Sequence, residues 1–493
     1  MREQLYHAAD DPAPAAAHAA LRQALAALGA GDAAHARFLA AQARELQWQV
    51  INRPQWRDVN DDERGLYGAA VALEACCDAS AGLPTSALRV LDSGLLLATA
   101  EQQDRLRRLI ALLKLPEGDI DTRLMPAFVN SWHGVSSVRD ARLEYPPCPL
   151  RSTNAASQLP RLASPSLLAF YSNHFLPRVP VVLEGASESW PAHSRWADPH
   201  YLLRVAGCRT VPVEVGRDYM AKDWTQVLMT VNEFVGAVQT AELRRQAIPF
   251  QTPATGSAGS TSSASLSGTA SGTPYLAQHG LFDQIPALRA DVQVPDYCAL
   301  QEPPEPGDDA AGPETTDAAQ SHAEGPSHHA SHSGVDACVA ASGPSRASRV
   351  LRDGEVAVQT WIGPGGTVSC LHYDEPHNLL AQVSEEAQPC DLTLSVSAQM
   401  PSPSRQVIGY KYLRLYAPAA TPCLYPREGA MSNTSSVDVA EPDAAAHPSF
   451  ARAPFLECTL GPGDTLYIPP RWWHYAAALT PSWSVSFWWG ASY

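Results

Sequence analysis

Two short segments, far apart in the chain, carry side chains that can bind a metal ion. The first contains His372 and Asp374, with one residue between them, after a Gly-Pro-Gly-Gly turn. The second contains His474, which follows a Gly-Pro-Gly-Asp turn and a predicted short strand from Thr465 to Ile468. Two imidazoles and one carboxylate suit non-haem Fe(II), because they leave three coordination positions open for a cosubstrate and oxygen. We therefore predict that His372, Asp374 and His474 bind a metal ion.

A strand from Thr367 to Asp374 would bring the first two ligands together. Alternate residues of a strand point to the same side, so one face would carry Val368, Cys370, His372 and Asp374. His377 is the nearest competing ligand, but it lies beyond Pro376, where we expect the strand to bend. Each motif also occurs by chance, so the prediction depends on both motifs lying beside turns on strand-like segments.

Helices are predicted upstream of these segments. From Pro14 to about Leu115 apolar residues recur at helical spacing, which indicates four or five helices in antiparallel hairpins. Asp32 and Thr99 are candidate helix caps, the latter with Gln102 three residues later. Breaks between the helices are expected at 29–31, 61–63, 82–85 and 98–101. We predict a helical bundle or helical-repeat-like domain at 1–115, and a proline-rich connector at 116–158.

The composition excludes several classes of protein. The 493 residues contain 35 Lys and Arg against 51 Asp and Glu, a net charge of −16 that disfavours nucleic-acid binding. No apolar stretch of about 18 residues is present, so no membrane span is expected. The 10 cysteines form no C-x-x-C pair, which argues against a disulfide framework or a cysteine zinc site. We expect a protein of the nucleus or cytoplasm.

Three segments have the composition of insertions. Residues 252–274 are almost entirely Ser, Gly, Thr and Ala, and residues 301–349 are rich in Pro, Gly, Ser, Ala, acidic residues and His. The second segment contains four histidines that could chelate a metal, but a solvated loop is the favoured interpretation: His322, His328, His329 and His332. The third, residues 384–408, interrupts a pair of predicted strands.

Several long motifs resemble those of the jumonji-C dioxygenases. They are WIGPGGTVSCLHYD, GYKYLRLYAP, MSNTSSVDV, APFLECTLGPGDTLYIPPRWWHY and SVSFWW, with further support from AGCRTVPVEVG, LMTVNEFV, YLAQHGLFDQIP and VPDYC. The similarity covers about Leu159 to Tyr493 apart from the insertions. It implies an α+β chain in which the helical N-terminal domain precedes a double-stranded β-helix, or cupin, domain at 159–493.

The resemblance also implies a chemistry. Enzymes of this family use Fe(II), 2-oxoglutarate and O2, so Lys411 would pair with the distal carboxylate of 2-oxoglutarate. By the same resemblance Tyr219, Ser369 and Asn378 would add hydrogen bonds. Trp361 and Trp488 would form walls of the pocket. The substrate would be a protein or peptide, and the acidic balance suits a basic one.

Two activities and two rival interpretations stay open. The oxygenase would hydroxylate an arginine carbon, or hydroxylate an N-methyl group of lysine, which then leaves as formaldehyde. We favour hydroxylation as the intrinsic activity. One rival is a catalytically silent cupin scaffold whose helical half binds a protein partner, and that partner is not identified by any motif. The other is a cupin isomerase, which would have no need for Lys411.

Overall fold

The computed structural model describes most of the chain outside the predicted insertions and connector. The described residues are 12–51, 59–113, 148, 150, 152, 154–196, 199–220, 224–247, 272–303, 355–383 and 409–490. The predicted insertion at 384–408 lies outside this set. Residues 252–271 of the first predicted insertion also lie outside it, as do residues 304–349 of the second, which include its four histidines. The predicted domain boundaries at 115 and 158 stay predictions, because residues 114–147 are also outside the described part.

Helices come first in the described chain. They are α1 (Pro12–Gly29), α2 (Ala33–Ile51), α3 (Asp61–Ser80), α4 (Pro84–Leu97) and α5 (Ala100–Leu112). Each helix packs against the next one along the chain, as expected for antiparallel hairpins. The approach of α4 to its neighbours is close enough to require glycine, because a Cβ on Gly94 would lie 2.5 Å from Leu106 Cδ1. Within residues 12–51 and 59–113 the number of helices agrees with the four or five expected.

Side-chain caps fix where these helices begin. The Asp32 carboxylate accepts a hydrogen bond from the backbone N–H of His35 at 3.0 Å, and Thr99 Oγ1 accepts one from Gln102 at 3.4 Å, as predicted. The break expected at 61–63 is instead the first turn of α3. There Asn60 and Glu63 cap each other's backbone N–H groups, because Asn60 takes the N-cap position and Glu63 lies three residues later.

The chain then changes to strands with short helices between them. The helices are α6 (Leu167–Phe170), α7 (Ala192–Arg195), α8 (Pro199–Ala206), α9 (Val231–Ala247), α10 (Leu281–Gln284) and α11 (Pro286–Arg289). The strands before the second insertion are β1 (Arg161–Ala163), β2 (Val181–Glu184), β3 (Thr210–Val215), β4 (Thr225–Thr230) and β5 (Pro274–His279). Those after it are β6 (Ala357–Gly363), β7 (Val368–His372), β8 (His377–Gln382), β9 (Lys411–Tyr416), β10 (Leu456–Leu460), β11 (Thr465–Ile468), β12 (Trp473–Ala478) and β13 (Ser482–Trp489).

The strands form two sheets. In the described residues the larger sheet has the order β1-β2-β11-β8-β13-β6-β5-β3-β4 and the smaller one has the order β10-β9-β12-β7. Neighbouring strands are antiparallel, except that β1 is parallel to β2. Strands that are distant in sequence therefore lie side by side, so β12 brings the segment around His474 next to β7 and β9.

The two faces of the larger sheet have different partners. We call the described residues from 159 to 490 the barrel part. Leu379 and Phe487 pack against its helices, in a cluster with Phe234 of α9. Leu380 and Leu466 point the opposite way and pack against Leu413, Leu415 and other residues of the smaller sheet. The inner faces of the sheets thus enclose an interior. The predicted α+β fold, helices followed by a double-stranded β-helix, is confirmed.

A buried ion pair joins the N-terminal helices to the larger sheet. Asp92 of α4 is fully buried and accepts hydrogen bonds from Arg209 Nη2 at 2.7 Å and from the backbone N–H of Thr210 at 2.8 Å. It also accepts one from Gln284 Nε2 at 3.0 Å. Every donor that contacts Asp92 belongs to the barrel part, so this carboxylate fixes the helices against the start of β3.

We expect Asp92→Ala to lower the free energy of unfolding by about 3–5 kcal/mol, because the Arg209 guanidinium would stay buried without its partner. The matched control is Asp104→Ala, which removes an exposed carboxylate paired with Arg107 and should cost less than about 1 kcal/mol. Urea unfolding followed by circular dichroism measures both variants. Equal destabilisation of the two would contradict the account of this contact.

Candidate metal centre and cosubstrate pocket

Strand pairing brings the three predicted metal ligands together. His474 of β12 lies directly opposite His372 of β7, and the centroids of the two rings are 4.3 Å apart. Asp374 follows the end of β7, with Oδ2 at 3.7 Å from His474 Nε2. One possible ligand atom from each of the three side chains lies within 4.8 Å of the others. The cluster can therefore offer two imidazole nitrogens and a carboxylate oxygen to one ion.

The backbone of β7 differs from the regular strand expected. His372 pairs with His474, but Ser369 pairs with Ala476, so Cys370 and Leu371 of β7 together lie opposite the single residue Tyr475 of β12. This irregularity is a β-bulge, and it changes which residues share a face. Ser369, rather than Cys370, lies on the interior face together with His372. The predicted common face for Cys370 and His372 was wrong, because the pairing partner and not the period of two sets the register here.

Hydrogen bonds orient both imidazole rings. His372 Nδ1 is 2.6 Å from the carbonyl oxygen of Cys370, and His474 Nδ1 is 3.0 Å from that of Trp472. A carbonyl only accepts, so each Nδ1 carries the proton and each Nε2 keeps a free lone pair for a metal. Burial, reinforced by His372, lowers the pKa of His474 to about 4. This ring is therefore neutral at physiological pH, as a metal ligand must be.

Lys411 is a buried cation in the same interior. It is 3% exposed, at the start of β9, and its ammonium group makes no hydrogen bond or ion pair with any described residue. Burial lowers the pKa of Lys411 to about 7. The nearest aromatic ring is that of Tyr275, whose centroid is 5.8 Å from Nζ. A charged ammonium group in such a place is costly unless an anion joins it, so the position favours a ligand with a carboxylate.

Tyr275 was not identified from the sequence. It lies on β5, its hydroxyl is close enough to the Ser369 side chain to interact with it, and burial raises the pKa of that hydroxyl. A Cβ on Gly363 would lie 2.8 Å from the Tyr275 ring, so the glycine lets the ring approach the sheet. Tyr275 belongs to the segment YLAQHGLFDQIP, which resembles the family, but the resemblance alone did not assign a role to any residue of this segment. Tyr275 and Ser369 thus adjoin Lys411.

Three further predicted residues line the interior face of the larger sheet. Asn378 of β8 lies directly opposite Trp488 of β13, and the rings of Trp361 and Trp488 meet edge to face at 5.9 Å. Asn378 Oδ1 and Trp488 Nε1 are buried and have no hydrogen-bond partner among the described residues. Buried polar atoms are almost always paired in proteins, so a ligand that supplies a donor and an acceptor fits here.

Tyr219 lies close enough to Thr434, Cys370 and Asp374 to interact with them, which places it near the metal ligands. Burial, with further contributions from Cys370 and Asp374, raises the pKa of its hydroxyl. The resemblance placed Tyr219 among the hydrogen-bond donors to 2-oxoglutarate. That role stays a prediction, and in this structure Tyr275 has the contacts expected for it.

A half-buried carboxylate faces the same interior. Glu214 of β3 lies directly opposite Tyr275 of β5, and Trp224 Nε1 donates a hydrogen bond to Glu214 Oε2 at 3.2 Å. Burial raises the pKa of Glu214 to about 7, although this hydrogen bond opposes the shift. Within the described residues Glu214 has no cationic partner. This acidic group was not singled out from the sequence, because its strand lies far from both metal-binding motifs.

The competing ligand His377 belongs to a different cluster. Its Nδ1 is 2.9 Å from the Tyr467 hydroxyl and its Nε2 is 3.1 Å from Glu302 Oε1. Its ring stacks on Phe175 at 4.4 Å between centroids. Both ring nitrogens are therefore engaged, and the preference for His372 over His377 agrees with the geometry.

No helix in the described ranges has the length and apolar character needed to cross a membrane.

Comparison with known proteins finds similarity to one family along most of the chain. The cupin-like domain family matches residues 167–386 and 404–493. "Lysine-specific demethylase 8" of Danio rerio is 32% identical over 453 residues, which are 90% of this chain and 85% of the relative. "Lysine-specific demethylase JMJ30" of Arabidopsis thaliana is 30% identical, with 91% and 85% covered. "Jumonji C domain-containing protein 5" of Drosophila melanogaster is 32% identical, with 69% and 62% covered.

Proposed function

Because this chain belongs to the cupin-like jumonji-C family of 2-oxoglutarate-dependent oxygenases, we propose that it uses Fe(II) and 2-oxoglutarate to hydroxylate a side chain of a protein substrate. The observation that carries the proposal is the pair of sites in one barrel interior. One is the cluster of His372, Asp374 and His474, and the other is the buried, unpaired ammonium group of Lys411.

The residues present fit both groups. Iron would be held by Nε2 of His372, Nε2 of His474 and the carboxylate of Asp374, a donor set that suits Fe(II). The distal carboxylate of 2-oxoglutarate would meet Lys411, with the Tyr275 and Ser369 hydroxyls close by. The unpaired Asn378 Oδ1 and Trp488 Nε1 are available to other polar atoms or to ordered water. When bound, iron and 2-oxoglutarate activate O2, which puts one oxygen atom into the substrate and the other into succinate as carbon dioxide leaves.

The protein's own residues prepare the site. The carbonyl oxygens of Cys370 and Trp472 hold the two imidazoles in the tautomer that presents Nε2. Burial keeps His474 neutral. The apolar cluster that includes Leu380 and Leu413 lies between the two sheets and gives the interior an apolar lining. These features favour an oxidation reaction in a dry, pre-organised pocket.

The half-buried carboxylate of Glu214 supports a basic side chain as the substrate. A cation that enters the interior would meet a carboxylate that is half-buried beside Trp224 and otherwise without a cationic partner. A guanidinium carries five N–H donors. A lysine ammonium carries three, and each methyl group added to it removes one of them. This favours arginine hydroxylation over lysine demethylation. Relatives are named lysine-specific demethylases, so both products need to be sought.

We expect Glu214→Gln to raise KM for a basic peptide about tenfold, because a charge-assisted hydrogen bond becomes a neutral one. KM for 2-oxoglutarate should not change. In the wild type, kcat/KM for the peptide should rise between about pH 6 and about pH 8, since Glu214, with its pKa raised to about 7, ionises over that range.

The matched control is Glu441→Gln, which removes an exposed carboxylate. Steady-state assays over this pH range measure the three proteins. If the pH profile of Glu214→Gln retains the step near neutrality, Glu214 does not bind the substrate.

Mass spectrometry of the peptide decides between the two reactions. A gain of one oxygen atom on an arginine supports hydroxylation, and loss of a methyl group from lysine supports demethylation. We propose a substrate protein of the nucleus or cytoplasm.

A buried, unpaired cation such as Lys411 costs stability, and a catalytically silent scaffold would have no use for one.

A further inference from the structure

A second cavity lies beside the metal centre, on the outer side of the smaller sheet. It has a volume of about 260 Å³. We call it the arginine pocket and define it by Arg427, Arg471, Tyr373, Trp473, Thr421 and Ser432. Tyr373 is the residue between His372 and Asp374, and Trp473 precedes His474. The pocket therefore shares its wall with the metal-binding segments, and Tyr373 and Trp473 lie on the opposite face of the smaller sheet from His372 and His474.

Two guanidinium groups line this pocket. Arg427 Nε is buried and, within the described part of the chain, has no hydrogen-bond partner, and the Arg427 side chain forms no ion pair with any described carboxylate. The Arg471 guanidinium lies over the Tyr373 ring, 5.3 Å from its centroid. Its only close carboxylate among the described residues is that of Glu375, at 3.9 Å, in a loose pair of half-exposed groups. The pocket thus has an excess of donors and positive charge.

The walls of the pocket are fixed by hydrogen bonds. Trp473 Nε1 donates to Thr421 Oγ1 at 2.9 Å. Asn433 Nδ2 donates to the Tyr373 carbonyl at 3.0 Å, which ties residues 431–435 to the end of β7. Arg471 adopts a positive φ of 62°, which a non-glycine residue rarely adopts, and its backbone N–H donates to the Asp374 carbonyl at 2.8 Å. The backbone of Arg471 is thus held at the edge of the pocket, close to the metal ligand Asp374.

We propose that the arginine pocket binds a carboxylate or phosphate group of the protein substrate, close in sequence to the residue that enters the metal centre. Paired guanidinium groups match the oxygens of such anions better than any other side chain does. Since an extended chain advances about 3.3–3.6 Å per residue, the anionic residue would lie a few positions from the target. The substrate would then be a peptide with one basic target residue and a flanking acidic or phosphorylated one.

Anion binding itself does not depend on the proposed function, whereas its assignment to the substrate does. The first measurement is therefore a titration with inorganic phosphate without turnover, with Mn(II) and saturating N-oxalylglycine so that Lys411 is already occupied. We expect the wild type to bind phosphate, and Arg427→Gln to bind it at least about tenfold more weakly. Arg427→Lys should retain part of the affinity.

Arg452→Gln is the matched control, because the exposed Arg452 side chain donates a hydrogen bond to Ser449 and to no other described residue, and it should leave phosphate binding unchanged. Circular dichroism confirms that each variant is folded. If the wild type binds no phosphate, or if Arg427→Gln binds it as tightly, the arginine pocket is not an anion site, whatever the enzyme's activity.

The second measurement separates the sources of the anion. Basic peptides that differ only in serine or phosphoserine at two, three or four positions from the target are compared for kcat/KM. We expect the phosphorylated peptide to be preferred about tenfold by the wild type and not by Arg427→Gln. Phosphate binding without this preference would assign the pocket to a free small anion and overturn the substrate assignment. Phosphate binding without turnover of any peptide would instead count against the proposed function alone.

Discussion

Lys411→Met is expected to raise KM for 2-oxoglutarate at least about a hundredfold, since the variant leaves the distal carboxylate buried without its cation. Methionine has nearly the shape of lysine and is apolar, so it fits the space that the Lys411 stem occupies. The pocket keeps the hydroxyls of Tyr275 and Ser369, but neutral donors cannot replace a charge. Steady-state kinetics and isothermal titration with 2-oxoglutarate measure the loss.

The same substitution is expected to stabilise the protein when 2-oxoglutarate is absent. Lys411 is a buried cation with no partner among the described residues, and burial lowers its pKa to about 7, which means that the folded state disfavours the charge. Replacing it by an apolar side chain removes this cost. Without cosubstrate Lys411→Met should therefore melt at a higher temperature than the wild type. A lower melting temperature together with unchanged 2-oxoglutarate binding would mean that Lys411 is structural.

Removing one metal ligand is expected to lower the rate of succinate formation by about a thousandfold or more. Loss of a ligand removes several kcal/mol of transition-state stabilisation, and each 1.36 kcal/mol is about tenfold in rate. His474→Ala and Asp374→Ala should behave alike, because each leaves two ligands of three. Both should also fail to bind Fe(II) or Mn(II) in an anaerobic titration.

The matched control is His447→Ala, which removes a half-buried histidine that contacts Ser436 and Tyr425 outside the barrel interior. It should keep metal affinity and turnover. Normal iron binding by His474→Ala would assign the metal to other ligands.

Much of the fold could be predicted from the sequence, because local patterns determine it. The apolar spacing in α1 to α5 and the caps at Asp32 and Thr99 depend only on residues a few positions apart. The metal-binding motifs lie at short strands beside glycine turns, and the turns fix where those strands begin. The segments that could be identified are thus those whose structure depends on near neighbours.

Other parts of the site could not be predicted, because they depend on pairing between distant strands. The bulge in β7, which turns Ser369 to the interior, exists only in register with β12. Tyr275 and Glu214 face each other across β5 and β3, and both meet the interior only when β5 joins β6 in the larger sheet. The resemblance drew attention to Tyr219 instead.

The most direct test of the central claim is the fate of oxygen during turnover. The protein is incubated with Fe(II), 2-oxoglutarate and a panel of arginine- and methyl-lysine-containing peptides under ¹⁸O₂, with His372→Ala as the control. We predict that the wild type forms one succinate for each hydroxylated or demethylated residue, that a hydroxylated product carries one ¹⁸O atom, and that His372→Ala forms neither product. Succinate formation at the same background rate in both proteins, with no change in any peptide, would contradict the account.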